Sequence, residues 1–203
     1  DFVSPFAYLQ WPKVRVLAER HAVALRPILF AGVLERLGLR GPAEIPGKRE
    51  FVYRFVLWRA RQSGLALVFP PSHPFNPLAA LRLCIAAGST PEAVEAIFDW
   101  IWRQGREADD VRQLQAVASK LGIVDAVGAV ADPVVKAQLR ANFDAAMAEG
   151  VFGVPTLSLG EERLFWGDDA HDFALACLDD PAMLDDPEMR RLAHLPVGVR
   201  RDV

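Results

Sequence analysis

The stretch from Gly150 to Asp169 constrains the fold of this 203-residue chain most, because it returns the chain from helix to strand. It reads G-V-F-G-V-P-T-L-S-L-G-E-E-R-L-F-W-G-D-D, and it predicts short strands at 156–159 and 163–166 joined by a hairpin turn. Pro155 lacks an amide N–H and favours a cis peptide bond here. Because Val154 precedes a proline, its backbone is biased towards extended geometry. We expect it to face a ligand as an unpaired strand edge.

Charge and residue patterning exclude several classes of function. The 23 basic and 26 acidic residues form no basic stripe interleaved with aromatics, so a nucleic-acid partner is not expected. No apolar run approaches the roughly 20 residues of a membrane-spanning helix. The histidines have no common spacing and the cysteines form no C-x-x-C, so no metal site is expected. Cys84 and Cys177 are predicted to be buried and free, which favours a cytoplasmic location. Since the sequence opens at Asp1 without methionine, we expect residues upstream.

The order of predicted elements indicates an α/β fold. Asp1–Val3 and Ala22–Leu29 read as strands, separated by a helix that begins after Ser4. Several helices with clear start and stop signals follow, and then the hairpin. The arrangement resembles a thioredoxin-like four-stranded mixed sheet with an inserted all-helical domain. The expected domains are a thioredoxin-like part (1–40 and 150–178), a helical insertion (41–149) and a C-terminal tail (179–203).

Several segments are similar to one family. The opening D-F-V-S-P-F-A-Y-L resembles the active-site turn of the thioredoxin superfamily, with Ser4 and Ala7 where a redox enzyme has two cysteines. G-V-F-G-V-P-T resembles the cis-proline loop of that superfamily. L-F-W-G-D-D resembles the last strand and turn of kappa-class glutathione transferases and 2-hydroxychromene-2-carboxylate isomerases. H-P-F-N-P-L-A-A-L-R and P-G-K-R-E-F also resemble the isomerases. The similarity extends over nearly the whole chain, up to Leu178.

This resemblance implies a glutathione-dependent cis-trans isomerase of the 2-hydroxychromene-2-carboxylate type. Ser4, at a helix N-terminus that favours an anion, would stabilise the glutathione thiolate. The thiolate would add to a double bond of a ring-opened aromatic keto acid, permit rotation and then leave. A homodimer is also implied. The residues implied to bind glutathione, besides Ser4, are Val154 and Pro155 for its cysteinyl part and Gly167, Asp168 and Asp169 for its γ-glutamyl amine.

The carboxylate of the substrate would need a cation, for which Lys48 is the first candidate and Arg82 the second. Asn76, in the proline-rich loop, would donate a hydrogen bond to the substrate. Each of these residues also has a simpler role, because lysine and arginine commonly lie on the surface and asparagine before proline commonly sets a turn. Ser4, Asp168 and Asp169 are likewise good helix caps.

Three positions depart from the family pattern and keep alternatives open. Ala170 stands where the family has an arginine, and Phe55 and Trp58 stand where it often has an aspartate and an arginine. One alternative is a kappa-like glutathione transferase or peroxidase, and another is a non-catalytic binding protein with the same fold. A Ser4–His171–Asp169 hydrolase triad lacks nucleophile-elbow glycines and is not expected.

Overall fold

A computed structural model describes residues 1–160 and 163–199. The described residues contain one antiparallel hairpin, formed by β1 (Thr156–Ser158) and β2 (Leu164–Trp166). The remaining regular structure in this part of the chain is helical: α1 (Pro5–Ala18), α2 (Phe30–Leu37), α3 (Lys48–Gln62), α4 (Leu78–Ala86), α5 (Pro91–Phe98), α6 (Gln115–Lys120), α7 (Ala126–Ala131), α8 (Pro133–Ala148), α9 (His171–Asp179), α10 (Pro187–Ala193), and short turns at Pro42–Glu44, Asp99–Arg103, Val111–Leu114 and Pro181–Asp185.

The hairpin lies where the sequence predicts it. Thr156 pairs with Trp166, and Ser158 pairs with Leu164. Gly160 has a φ of +77°, which glycine adopts without steric cost. The remainder of the predicted turn, residues 161–162, lies outside the described residues.

The predicted four-stranded mixed sheet is not found among the described residues, where the sheet has two strands. The Asp1–Val3 segment forms a turn, because the Asp1 carboxylate accepts from the backbone N–H of Val3 at 3.0 Å and of Phe30 at 2.7 Å. The predicted strand Ala22–Leu29 has no ladder partner in this part of the chain. Pro27 contributes no N–H to a ladder, and its carbonyl accepts from the side chain of Asn142 at 3.0 Å.

Capping residues explain why the helices begin where they do. Thr90 and Asp132 each precede a proline and accept a backbone N–H, from Ala93 and Val134 respectively. This is the predicted cap followed by proline at the first helical position.

The largest hydrophobic cluster joins α1 to the helices that lie between α2 and β1 in the sequence. Its fully buried side chains include Trp102, Leu81, Leu83, Ile97 and Ile101. Cys84 belongs to this cluster, whereas Cys177 packs with Phe165 between β2 and α9. Both cysteines are buried and free, as predicted. The core therefore continues from α1 into the segment predicted as the helical insertion, and the domain boundaries stay a prediction.

Gly105 follows the helical turn that contains Trp102, with a φ of +65°. A Cβ at Gly105 would lie 2.5 Å from Cγ1 of Val68 and 3.2 Å from the carbonyl oxygen of Phe69. Gly64 is a matched control, because its φ is +67° and nothing lies within 4 Å of the corresponding position.

We expect Gly64→Ala to lower the free energy of unfolding by about 1–2 kcal/mol, from the left-handed backbone alone. Gly105→Ala should lower it by a further ~1–3 kcal/mol, because the Val68 side chain and the neighbouring backbone must move. Urea denaturation measures both losses. Equal losses for the two variants would contradict the close packing at Gly105.

Candidate active site

Ser4 is the N-cap of α1, and its side chain accepts from the backbone N–H of Ala7 at 3.3 Å. The residue is 6% exposed. A hydroxyl oxygen that accepts one bond still has a proton to donate. Ser4 can therefore cap α1 and donate to a bound anion at the same time. Because Ala7 stands in the first turn in place of a second cysteine, this turn cannot form a disulfide within itself.

The Val154–Pro155 peptide bond is cis, as the sequence predicts. Pro155 is held by its carbonyl, which accepts from the N–H of Gly167 at 2.9 Å. Thr156 closes the loop by donating from its hydroxyl to the carbonyl of Gly153 at 2.8 Å. Among the hydrogen bonds of the described residues, none uses the N–H or C=O of Val154. These two groups are therefore unpaired within the described residues, whereas their role as a strand edge that faces a ligand stays a prediction.

Asp168 forms a partly buried, bidentate ion pair with Arg59 of α3. Nη1 and Nη2 of Arg59 lie 2.8 Å from Oδ1 and Oδ2 of Asp168, respectively. The side chain of Asp168 is 3% exposed and that of Arg59 is 23% exposed. Burial raises the pKa of Asp168; the Arg59 charge opposes this effect and the neighbouring Asp169 adds to it. Asp168 is therefore already engaged, whereas the exposed Asp169 faces solvent.

The turn after β2 is also held by α1. Gln10 donates to the carbonyl of Gly167 at 3.5 Å, and Lys13 donates to the carbonyl of Asp168 at 3.3 Å. His171 is buried at the start of α9, and burial, with a smaller effect of Lys13, lowers its pKa. The N-cap of α9 is Ala170, without a side-chain hydrogen bond. The simpler role of Asp168 and Asp169 as caps of this helix is therefore not what the structure shows.

Among the hydrogen bonds and ion pairs of the described residues, none joins the three residues predicted to bind substrate to one another or to Ser4. Lys48 is exposed in the first turn of α3. Arg82 is half-buried on α4, and its Nε has no hydrogen-bond partner among the described residues. Asn76 is exposed, and its side-chain oxygen accepts from the N–H of Leu78 at 3.1 Å. The predicted turn-setting role of Asn76 is thus present, and its amide NH₂ remains able to donate.

The sequence interpretation missed a polar cluster around His73. Its Nε2 lies 2.8 Å from the carbonyl oxygen of Val3, the residue before Ser4. Its Nδ1 lies 2.6 Å from the hydroxyl of Tyr53. Its own carbonyl accepts from Arg49 at 2.8 Å. Burial, with a smaller contribution from Arg49, lowers the pKa of His73. The only local signal for this cluster was a histidine in a proline-rich loop.

Phe55 and Trp58, the two residues of α3 that depart from the family pattern, belong to an aromatic stack. Phe51 and Phe55 lie 5.8 Å apart and Phe55 and Trp58 lie 6.0 Å apart, measured between ring centroids and with nearly parallel planes. Phe51 and Trp58 are exposed, and the guanidinium of Arg59 lies 5.7 Å from the Phe55 ring. The stack therefore flanks the Arg59–Asp168 pair.

The described residues include no group of three or more histidine, cysteine or acidic side chains placed to hold a metal ion. None of the helices described has the length and apolarity that crossing a membrane requires.

Comparison with known proteins gives a consistent result over most of the chain. Residues 1–178 match the DSBA-like thioredoxin domain. The chain is 31% identical over 183 residues to a 2-hydroxychromene-2-carboxylate isomerase from Pseudomonas putida, covering 83% of this chain and 86% of the relative. It is 26% identical over 176 residues to glutathione S-transferase kappa 1 from Rattus norvegicus, covering 77% and 76%.

A solved structure of 2-hydroxychromene-2-carboxylate isomerase superposes with a TM-score of 0.73 at 25% identity. The superposition covers 93% of this chain and 96% of that chain. The domain match, the identity and the shared fold therefore agree with the resemblance of the individual motifs. The chain belongs to the DSBA-like thioredoxin family and, within it, to the 2-hydroxychromene-2-carboxylate isomerase family.

Proposed function

We propose that the protein is a glutathione-dependent cis-trans isomerase of the 2-hydroxychromene-2-carboxylate type. The observation that carries this proposal is Ser4, a buried serine that caps α1 and keeps its hydroxyl proton available. At this position a thiol from outside the protein gains a hydrogen-bond donor and a helix N-terminus. It gains no disulfide partner. The free, buried cysteines suit the cytoplasm, which keeps thiols reduced.

The proposed reaction begins with glutathione bound as a thiolate beside Ser4. Its sulfur forms a C–S bond with the double bond of a ring-opened aromatic keto acid, and the electron pair moves onto the conjugated carbonyl. The former double bond then rotates as a single bond. When the electron pair returns, the C–S bond breaks and the thiolate leaves. The reaction involves no net oxidation or reduction, which agrees with an active-site turn that lacks both cysteines.

The charges around the turn after β2 suit the γ-glutamyl group of glutathione. Because Arg59 neutralises Asp168, the exposed Asp169 is the acid that receives the amine. Arg59 uses one donor from each Nη on Asp168 and keeps further N–H donors, as the five donors of a guanidinium allow. Lys13 reaches the same turn. The remaining N–H donors of Arg59 and the positive charge of Lys13 are therefore available to the α-carboxylate, for which Ala170 provides no charge. The Val154 edge pairs with the cysteinyl backbone, next to Pro155.

The substrate is proposed to bind beyond the thiol. Lys48 and Arg82 are the candidate partners of its carboxylate, and the amide of Asn76 is a candidate donor. The orphaned, buried Nε of Arg82 supports a ligand contact at that position, because buried polar groups normally have a partner. The stack of the half-buried Phe55 and the exposed Trp58 supports an aromatic substrate, since offset and edge-on ring contacts are favourable.

A kappa-like glutathione transferase is the second candidate function. The similarity to glutathione S-transferase kappa 1 favours it, and the same Ser4 site would serve both reactions. Conjugation of glutathione to a chlorinated aromatic electrophile separates the candidates, because an isomerase returns its thiol unchanged.

Ser4→Ala tests the role of the hydroxyl. A hydrogen bond to a charged group contributes about 1.5–3 kcal/mol, so we expect kcat/KM to fall about 10- to 100-fold. The measurement is turnover of 2-hydroxychromene-2-carboxylate with and without glutathione. Thr90→Ala is the matched control, because it also removes a helix cap but lies on α5. Wild-type turnover by Ser4→Ala, or turnover without any thiol, would refute the mechanism.

Glutathione binding is tested by stability. A ligand at a hundred times its Kd should raise the free energy of unfolding by about 2.7 kcal/mol. We expect Asp169→Asn to reduce this gain for glutathione but not for cysteinylglycine, which lacks the γ-glutamyl group. Thermal unfolding with each ligand gives the comparison. If millimolar glutathione leaves the melting temperature unchanged, the protein is a non-catalytic member of the fold.

A further inference from the structure

The peptide bond that leads into Ser4 is held at both ends. On one side, the carbonyl oxygen of Val3 lies 2.8 Å from Nε2 of His73. On the other side, the N–H of Ser4 donates to the carbonyl of Asp1 at 3.3 Å. Because the atoms of a peptide unit are coplanar, two anchors on opposite sides fix the orientation of the whole plane. That plane ends at Cα of Ser4.

The preceding peptide bond is anchored in the same way. The carbonyl of Phe2 accepts from Nε1 of Trp102 at 2.9 Å, and the N–H of Val3 donates to Oδ1 of Asp1 at 3.0 Å. The carbonyls of Phe2 and Val3 are therefore both held by ring N–H groups from distant parts of the chain. His73 holds the carbonyl of Val3, which is adjacent to Ser4.

The donor direction of the His73 ring follows from its partners. A carbonyl oxygen accepts only, so Nε2 carries the proton that binds Val3. In the neutral ring Nδ1 is then an acceptor, and the hydroxyl of Tyr53 has one proton for two acceptors, Nδ1 at 2.6 Å and the backbone carbonyl oxygen of His73 at 2.9 Å. The backbone carbonyl of His73 keeps a donor of its own from Arg49. Tyr53 and Arg49, both on α3, are the titratable groups in polar contact with His73 among the described residues. The aromatic rings around His73 belong to Tyr53, Phe69, Phe75 and Trp102.

We propose that His73 is a positioning residue for Ser4. By holding the carbonyl of Val3, its ring fixes the direction in which the first turn of α1 presents the Ser4 side chain. His73 does not touch the reacting atoms. Its importance for catalysis rests on the proposed function, whereas its effect on the geometry of residue 4 does not.

A thiol introduced at Ser4 reports this geometry without any ligand. In Ser4→Cys the ultraviolet absorbance of the thiolate can be followed against pH, with the wild-type protein as the baseline for the two buried cysteines. A thiol aligned with a helix N-terminus has a pKa below its ordinary value of about 8.5. We expect this low pKa in Ser4→Cys, and we expect it to rise by about one unit, a tenfold loss of thiolate, when His73→Phe is added.

Two further variants separate positioning from general destabilisation. His73→Gln keeps a side-chain N–H donor and should restore most of the low pKa. Tyr8→Phe removes another buried ring donor, to the carbonyl of Ala66 at 2.7 Å, and should leave the pKa of the introduced thiol unchanged. If His73→Phe does not fold, Tyr53→Phe, which removes the hydroxyl from Nδ1 and from the backbone carbonyl of His73 but leaves the bond to Val3 in place, should raise the pKa by a smaller amount.

The same pKa in the His73→Phe and parent backgrounds, or no recovery with His73→Gln, would overturn the proposal. In the protein with Ser4 intact, His73→Phe should lower kcat about tenfold and change the KM for glutathione little. A kcat of His73→Phe equal to that of the wild-type protein would also contradict the positioning role of His73. Absence of glutathione binding by the wild-type protein would refute the proposed function, while the thiol titration would still decide the role of His73.

Discussion

The Arg59–Asp168 ion pair is the interaction on which the candidate site most depends. It joins residues 109 positions apart and ties α3 to the turn after β2. Removing Arg59 would leave the buried carboxylate of Asp168 without its partner, which is destabilising. Gln10 and Lys13 of α1 donate hydrogen bonds to the same turn. Side chains of two helices, α1 and α3, therefore hold this loop. Gly167 in this loop also donates its N–H to the carbonyl of Pro155. The Arg59–Asp168 pair therefore helps to fix the position of the cis-proline segment.

The adjacent acids Asp168 and Asp169 therefore have different environments. Asp168 is engaged by Arg59, and the positive charge of Arg59 offsets one of the two neighbouring carboxylates, so that the repulsion of an anionic ligand is reduced. Asp169 is left exposed and free to attract an amine. A sequence pattern with an extra acid and no following arginine therefore need not exclude a zwitterionic ligand. In the proposed site the partners of the ligand carboxylate are Arg59 of α3 and Lys13 of α1, which come from other parts of the chain.

Local signals in the sequence were sufficient for the parts of the structure that local physics determines. A cap followed by proline placed the starts of α1, α5 and α8, and the glycine-bounded apolar runs placed the hairpin. The cis bond at Pro155 also follows from its context. The prediction of a strand at Ala22–Leu29 was wrong, because no strand of the described residues pairs with this segment. Pro27 also provides no backbone N–H for such pairing. Arg59 and His73 were not predicted as site residues, since their partners lie 109 and 70 residues away and no local pattern records such contacts.

The two residues that the sequence did not predict lie in the same helical segment, which shows that this segment contributes to the candidate site. Arg59 and His73, together with Trp102, all lie between α2 and β1, in the segment predicted as an insertion. Each reaches an element of the thioredoxin-like part: the turn after β2, the carbonyl of Val3 and the carbonyl of Phe2. The hydrophobic cluster is likewise continuous with α1. We therefore expect substitutions in this segment to act on Ser4 and on the cis-proline loop through these hydrogen bonds, even where the substituted residue contacts no ligand. In physical terms the helical segment is part of the scaffold of the candidate site, because the carbonyl groups of Phe2 and Val3, which precede Ser4, have their hydrogen-bond partners there.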